Sequence, residues 1–399
     1  MKLNGALLRG SLVLLISFNI YNALNFLFHL VMARMLSVAE YGILATLFSF
    51  MYMLGVFSES IQLVVAKYSA ENASRGKIKT LLGKTLKRAF IFSFVIFIVY
   101  SVFVWFLTDI LNINYYLLFI NGFIIFATFL TPTTRGVMQG TKRFGSLGLN
   151  MISESLFKLI VAVVLVVIGY GVYGAILGTL VGVFISLIFS FYIVKDIFAF
   201  KSEPLETSGI WAQIRPTFFI ILMIMAFYSL DIIFVRALFD EDSAGAYAIA
   251  SVIAKMLFLG TYPVARAMFP LAVESNSRKQ NSINLFVNAM SLIVFGAICA
   301  LLVFYFLPEL IVNIFSGKEI SIASNLLFVL GISVSLISLS NLILFFKISI
   351  GRTKNYYIMA LPVLAELVIL YLFASSLYLF SIGFVLASII LLVVSILMK

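Results

Sequence analysis

Within the apolar stretch from Tyr247 to Val273, Lys255 and Arg266 stand eleven residues apart, and Tyr262 lies four before Arg266. At about 100° per helical residue, eleven steps leave the two cations within about 20° of each other on one face. They are the residue types that hold anions where water is scarce: a guanidinium offers a planar fork of donors, an ammonium a point charge. The competing account is that both side chains snorkel, Lys255 towards one interface and Arg266 towards the other. A second constellation is Asn19, Asn22, Asn25 and His29, the only histidine of the chain. With Asn19 set at zero, Asn22, Asn25 and His29 fall near 300°, 240° and 280°, an arc of about 120° over about 15 Å of helix. Such a stripe suits one wall of a wet cavity. Interhelical hydrogen bonding by single amides is the alternative.

Five more ionisable groups interrupt apolar stretches: Glu59, Glu154, Lys158, Asp231 and Glu366. Charges in such places are costly unless they face protein or water, so each is a functional candidate. Glu154 and Lys158 are four apart in the favourable order and read as a self-neutralising structural pair. Asp231 could pair with Arg236, cap a neighbouring helix or bind a coupling cation. Glu59 and Glu366 lack sequence-local partners, and either could hold a proton and so couple to a proton gradient. No catalytic residue, metal ligand or cofactor site is assigned. A Gly-rich phosphate loop of the Walker type is absent from the sequence, which sets aside an ATP-driven pump.

These groups need a scaffold that crosses a membrane. Apolar residues make up 63% of the 399 and charged ones 11%, against roughly 45–50% and 25% in soluble domains. The expectation is an all-α polytopic membrane protein. Stretches of about 20 apolar residues span the hydrocarbon layer as helices. Twelve are predicted, near 11–32, 41–66, 89–108, 115–131, 148–169, 172–194, 216–235, 247–273, 285–307, 324–346, 356–374 and 380–398. Lys2 and Arg9 before an apolar run resemble a signal peptide, but no small-residue cleavage pattern follows, so a retained first helix is expected. The single cysteine, Cys299, excludes a disulfide within the chain.

The net charge of +11 is a topology signal rather than a nucleic-acid footprint. With both termini inside, the inner segments hold 21 of the 27 Lys and Arg residues, as the positive-inside rule requires. The outer segments carry acids instead: Glu40, Asp109, "DED" at 240–242, Glu309 and Glu319. A multi-pass protein of the cytoplasmic membrane with cytoplasmic termini is expected. The longest extramembrane segment, 195–215, reads as an inner linker between six-helix halves at 1–194 and 216–399.

The halves look related. "ENASR" (71–75) matches "ESNSR" (274–278), "MYMLG" (51–55) matches "MLFLG" (256–260), and "ARMLSVAEYG" (33–42) has a counterpart in "VRALFDEDSAG" (235–245). "YGAILGTL" (173–180) resembles "SIGFVLASI" (381–389), and Gly174, Gly178 and Gly182 repeat at the spacing of close helix contact. An even number of spans per half makes these parallel repeats, for which the substrate site is expected between the halves.

The run Asp231, Val235, Arg236, Leu238, Gly245, Tyr247 and Ala250 resembles the Wzx-type polysaccharide flippases of the MATE-like MOP superfamily, as do the "AR-L---EYG" pattern and "MQGTKRFGSLGLN" (138–150). The resemblance implies a MATE-like transporter with a central cavity and no enzymatic chemistry. It would carry a polyprenyl-pyrophosphate-linked oligosaccharide from the inner to the outer leaflet. Lys255, Arg266 and Tyr262 would meet the pyrophosphate sugar, with Asn19, Asn22, Asn25 and His29 along the cavity. The implied partners are that lipid-linked glycan, membrane lipids, and the polymerase and glycosyltransferases of polysaccharide assembly. A MATE-type cation-coupled drug or metabolite exporter is the alternative. A membrane-embedded glycosyltransferase or polymer ligase is a third reading, disfavoured by the short outer segments.

Overall fold

The computed structural model describes residues 5–71, 74–205, 210–277 and 282–399, and among these there is no β-strand. The reason is physical: in hydrocarbon every backbone donor and acceptor must be met within the segment, which a helix does alone. In chain order the helices are α1 (Gly5–Met35), α2 (Val38–Glu71), α3 (Arg75–Leu111), α4 (Tyr115–Gly122), α5 (Ile124–Gly140), α6 (Phe144–Leu165), α7 (Gly171–Ile193), α8 (Lys195–Phe198) and α9 (Ile210–Leu238). They continue with α10 (Glu241–Ser277), α11 (Ile283–Phe306), α12 (Pro308–Ser316), α13 (Ser321–Ser349), α14 (Ala360–Leu372) and α15 (Leu377–Leu397).

Among the described residues, ten stretches are long and apolar enough to cross a membrane. One of them, Phe144–Ile193, is itself a hairpin of α6 and α7, and the shorter apolar segment Tyr356–Leu372 comes in addition. With the hairpin counted as two and the shorter segment as one, the described residues offer twelve apolar helical segments. The hairpin turns at Gly169 and Gly171, whose φ angles of 97° and 50° are open to glycine at little cost. Its helices run antiparallel, since Gly174 faces Leu165 while Gly182 faces Glu154 and Lys158. A Cβ on Gly182 would lie 2.6 Å from the Glu154 carbonyl oxygen, so the small residues set the approach.

The helices begin where the sequence supplies caps. Ser37 and Glu40 form a reciprocal capping box at the start of α2: Glu40 N donates to Ser37 Oγ at 3.2 Å and Ser37 N donates to the Glu40 carboxylate at 3.0 Å. Asp240 caps α10 by accepting from Ser243 N at 3.0 Å. Five residues beyond each cap comes a glycine, Gly42 in α2 and Gly245 in α10, and the two meet. A Cβ on Gly42 would lie 2.8 Å from Gly245 Cα. The repeated motif is thus a cap followed by a close-contact glycine, and its two copies pack against each other.

The chain divides into two compact units, residues 1–36 with 54–212, and 37–53 with 213–399. The first stretch of α2 therefore groups with the C-terminal helices and its remainder with the N-terminal ones. In the first unit α1 packs on α6 of the hairpin. An apolar cluster including Val65, Leu82, Val137, Leu147 and Ile197 ties α2, α3, α5, α6 and α8 together. The second unit is built round α13, which packs on α10, α11 and α15.

Several elements differ from the expectation. The predicted span 115–131 is two helices, α4 and α5, broken at Phe123, and α5 runs on through Pro132 to Gly140. Arg135, expected in an inner loop, is therefore helical. The helices at 89–108 and 247–273 extend to Arg75–Leu111 and Glu241–Ser277. Helix α12 is short, and span length alone does not reveal it. The repeat matches "ENASR" and "ESNSR" and the linker 195–215 fall in part outside the described residues.

Candidate functional site

In the second unit, α9 and α10 set a carboxylate and an ammonium face to face. Lys255 Nζ lies 2.7 Å from Asp231 Oδ1, and both side chains are buried. The other carboxylate oxygen, Oδ2, accepts from Ser251 Oγ at 2.7 Å and from the Tyr247 hydroxyl at 3.3 Å. The spacing Tyr247, Ser251, Lys255 is four and four, which puts all three on one stripe of α10 towards Asp231. Of the fates that the sequence leaves open for Asp231, an ion pair is the one seen, with Lys255 in place of Arg236. Arg236 Nη2 instead meets Glu241 at 3.2 Å.

From Lys255 an aromatic ladder runs along α10 to Arg266. The ammonium sits 4.7 Å from the Tyr228 ring centroid, Tyr228 is 5.0 Å from Phe258, and Phe258 is 5.6 Å from Tyr262. Arg266 closes the ladder with its guanidinium carbon 4.6 Å from the Tyr262 centroid and Nη2 donating to the Tyr262 hydroxyl at 3.0 Å. Tyr262 is buried while Arg266 is exposed. An arginine held over an aromatic ring and bonded to its hydroxyl is a group suited to meeting a phosphate or carboxylate. Glu366 of α14 is wholly buried in the same unit, under the electrostatic influence of Asp231 and Lys255.

The first unit holds a separate polar network. Arg135 Nη2 contacts Glu154 Oε2 at 2.7 Å and accompanies it with bonds from Nε to Asn150 Oδ1 at 2.7 Å and from Nη2 to Ser186 Oγ at 2.9 Å. The Tyr21 hydroxyl donates to the other Glu154 oxygen at 3.3 Å, joining α1 to α6. Lys158 donates to Asn25 Oδ1 and lies 4.5 Å from the Phe28 ring centroid. Glu154 thus has Arg135 as its ion-pair partner, where the sequence suggests Lys158.

The polar stripe of α1 is divided in its surroundings. Asn19 is exposed and donates to the Leu15 carbonyl at 2.9 Å, Asn22 is half-buried, and Asn25 donates to the Tyr21 carbonyl at 2.9 Å. His29 is buried, edge-on to Phe28 with centroids 5.5 Å apart. Glu59 is half-buried on α2.

A profile of the polysaccharide biosynthesis protein family matches residues 7–276. The chain belongs to this family. No curated protein matches its sequence. Among solved structures, the fold of this polysaccharide biosynthesis protein is similar to an inward-facing multidrug resistance MATE family transporter of the MOP superfamily. The two share a TM-score of 0.76 and 13% identity over 94% of each chain. It is also similar to the lipid II flippase MurJ in an inward closed conformation, with a TM-score of 0.77 and 15% identity over 97% of this chain and 87% of the other. A third likeness is to a MOP superfamily transporter from Pyrococcus furiosus described as having a binding pocket of reversed polarity. There the TM-score is 0.67 and the identity 13%, over 98% and 95% of the chains. The fold is thus similar to those of the MATE and MurJ structures.

Sequence reasoning misses Arg135, Asn150, Ser186 and Tyr21 in the first unit of this family member, and Ser251 and Tyr228 in the second. For Arg135 a signal exists: Asn150 and Glu154 share a helix face and call for a buried donor. Pro132 and Gly136 hide it by imitating a helix end.

Proposed function

We propose that this protein is a flippase that moves a polyprenyl-pyrophosphate-linked oligosaccharide across the cytoplasmic membrane by alternating access, without chemistry on the substrate. The match to the polysaccharide biosynthesis family over residues 7–276 carries this reading, and the MOP transporter fold agrees with it. Arg266 on its Tyr262 platform supplies the anion ligand that a pyrophosphate needs. Lys255 is committed to Asp231, so its part is to brace the ladder from below. Asn19 and Asn22 offer amides to sugar hydroxyls along α1. The glycan would come from glycosyltransferases on the inner face and pass to a polymerase on the outer face.

The test is genetic and chemical. Deleting the gene should make a lipid-linked saccharide accumulate in the inner leaflet, identified by mass spectrometry of the lipid extract, and the restored gene should clear it. A lipid extract unchanged by deletion would overturn the reading.

A further inference from the structure

Glu366 stands in the middle of α14, with no exposed surface, and neither of its carboxyl oxygens has a hydrogen-bond donor. Buried polar groups are paired in the great majority of cases, and a buried carboxylate without donors is among the costliest arrangements a protein can hold. The groups that act on it can be named. Asp231 on α9 and Lys255 on α10 reach it electrostatically, and it acts in turn on the Tyr247 phenol of α10. Helix α15, which packs on α14, carries no charged side chain, and its Tyr378 is exposed. The 3-10 turn Tyr356–Met359 adds only the half-buried Tyr356 and the exposed Tyr357.

The charges do not balance if Glu366 is ionised. One ammonium would face two carboxylates, and it already lies 2.7 Å from Asp231, whose second oxygen takes Ser251 and Tyr247. Two carboxylates sharing one cation in a dry site favour a proton on one of them. Asp231 has three donors and Glu366 none, so the proton belongs on Glu366.

We propose that Glu366 is a proton-binding site in the C-terminal unit. It holds a proton while Lys255 is bound to Asp231. When water enters, the carboxyl O–H bond breaks, the proton leaves to that water, and the Lys255 ammonium divides its N–H donors between Asp231 and the new carboxylate. Reprotonation restores the starting pair. A single proton is thus exchanged for each rearrangement of Lys255. Only the work to which the proton is put, driving a lipid-linked saccharide across, rests on the flippase reading.

The test uses the purified full-length protein in lipid, with infrared difference spectra between acid and alkaline buffers free of sodium. The wild type should show the carbonyl stretch of a protonated carboxylic acid that disappears on raising pH. Glu366→Gln should lose that band, and Glu366→Asp should retain it at a shifted position. Lys255→Met, which removes the stabilising cation, should move the titration to higher pH. A band that survives Glu366→Gln, a wild type without one, or a band removed by sodium at constant pH would overturn the proposal. A second arm reconstitutes the protein with the lipid-linked saccharide found on gene deletion and imposes a pH gradient. Transport should respond to the gradient in the wild type and not in Glu366→Gln. If the infrared band behaves as expected while that lipid is not moved at all, the flippase reading fails and the proton site stands.

Discussion

Lys255 Nζ and Asp231 Oδ1 are 2.7 Å apart in the buried interior of the second unit. Removing one member leaves the other charge without its counter-ion, which typically costs about 3–5 kcal/mol, whereas replacing both can be near neutral. Asp231→Asn and Lys255→Met should each lower the thermal unfolding temperature in detergent, and the double variant should recover much of the loss. A double-mutant cycle reads the coupling directly. Losses that simply add would show that the two side chains are not energetically paired.

Arg266 and Tyr262 make a sharper test of the anion site. Arg266→Ala should reduce translocation of the lipid-linked saccharide at least about tenfold, since a charge-assisted hydrogen bond contributes about 1.5–3 kcal/mol. Arg266→Lys keeps the charge but loses the planar fork, and should fall between wild type and alanine. Tyr262→Phe keeps the stacking surface and removes the hydroxyl that receives Nη2, so its defect should be the mildest. Membrane abundance measured in parallel separates transport from folding. Full transport by Arg266→Ala at normal abundance would remove this residue from the site.

Much of the architecture is legible because lipid imposes it. The crossing at 148–169 predicted from apolar length matches α6 and the turn that follows it, Val166–Tyr170, to within a few residues, for lack of any other way to satisfy the backbone there. Ion-pair partners are harder to read, because they depend on which helices become neighbours. Glu154 and Lys158 share a helix, yet Glu154 binds Arg135 from α5 and Lys158 binds Asn25 from α1. Arg135 is hidden further by Pro132, which reads as a helix stop in water but is tolerated inside a membrane helix. The repeated motif carries a different lesson. "SVAEYG" and "DEDSAG" read as copies of one repeat, and their residues turn out to cap α2 and α10 and to bring Gly42 against Gly245.

That contact gives a packing prediction. Any side chain at Gly42 must displace the backbone of Gly245, since a Cβ there would come within 2.8 Å of its Cα. Backbone cannot yield as a flexible side chain does, and overpacking costs about 1–3 kcal/mol. Gly42→Val should therefore lower the unfolding temperature more than Gly55→Val in the same helix, where no atom lies within 4 Å of the added Cβ. Equal effects would mean that helix propensity, not the contact, sets the cost.

The last prediction concerns pH at the end of the α6–α7 hairpin. Arg143 holds Asp196 with two bonds, Nη1 to Oδ1 at 2.8 Å and Nη2 to Oδ2 at 2.5 Å, and Arg75 approaches the same carboxylate at 3.5 Å. The Arg143 hydrogen bonds hold the Asp196 carboxyl below its ordinary value of 3.8, and the charges of Arg143 and Arg75 act in the same direction. Because the folded state lowers this pKa, the pair's stabilisation is fully present above the unfolded value and fades as pH falls through the folded one. The carboxylate is 39% exposed, so solvent screens the pair and the effect is small. Asp196→Asn should be less stable than wild type near neutrality, and the two unfolding temperatures should converge as the buffer is acidified below the ordinary carboxylate range. A gap that persists unchanged in acid would show that asparagine disturbs the turn itself rather than the charge pair.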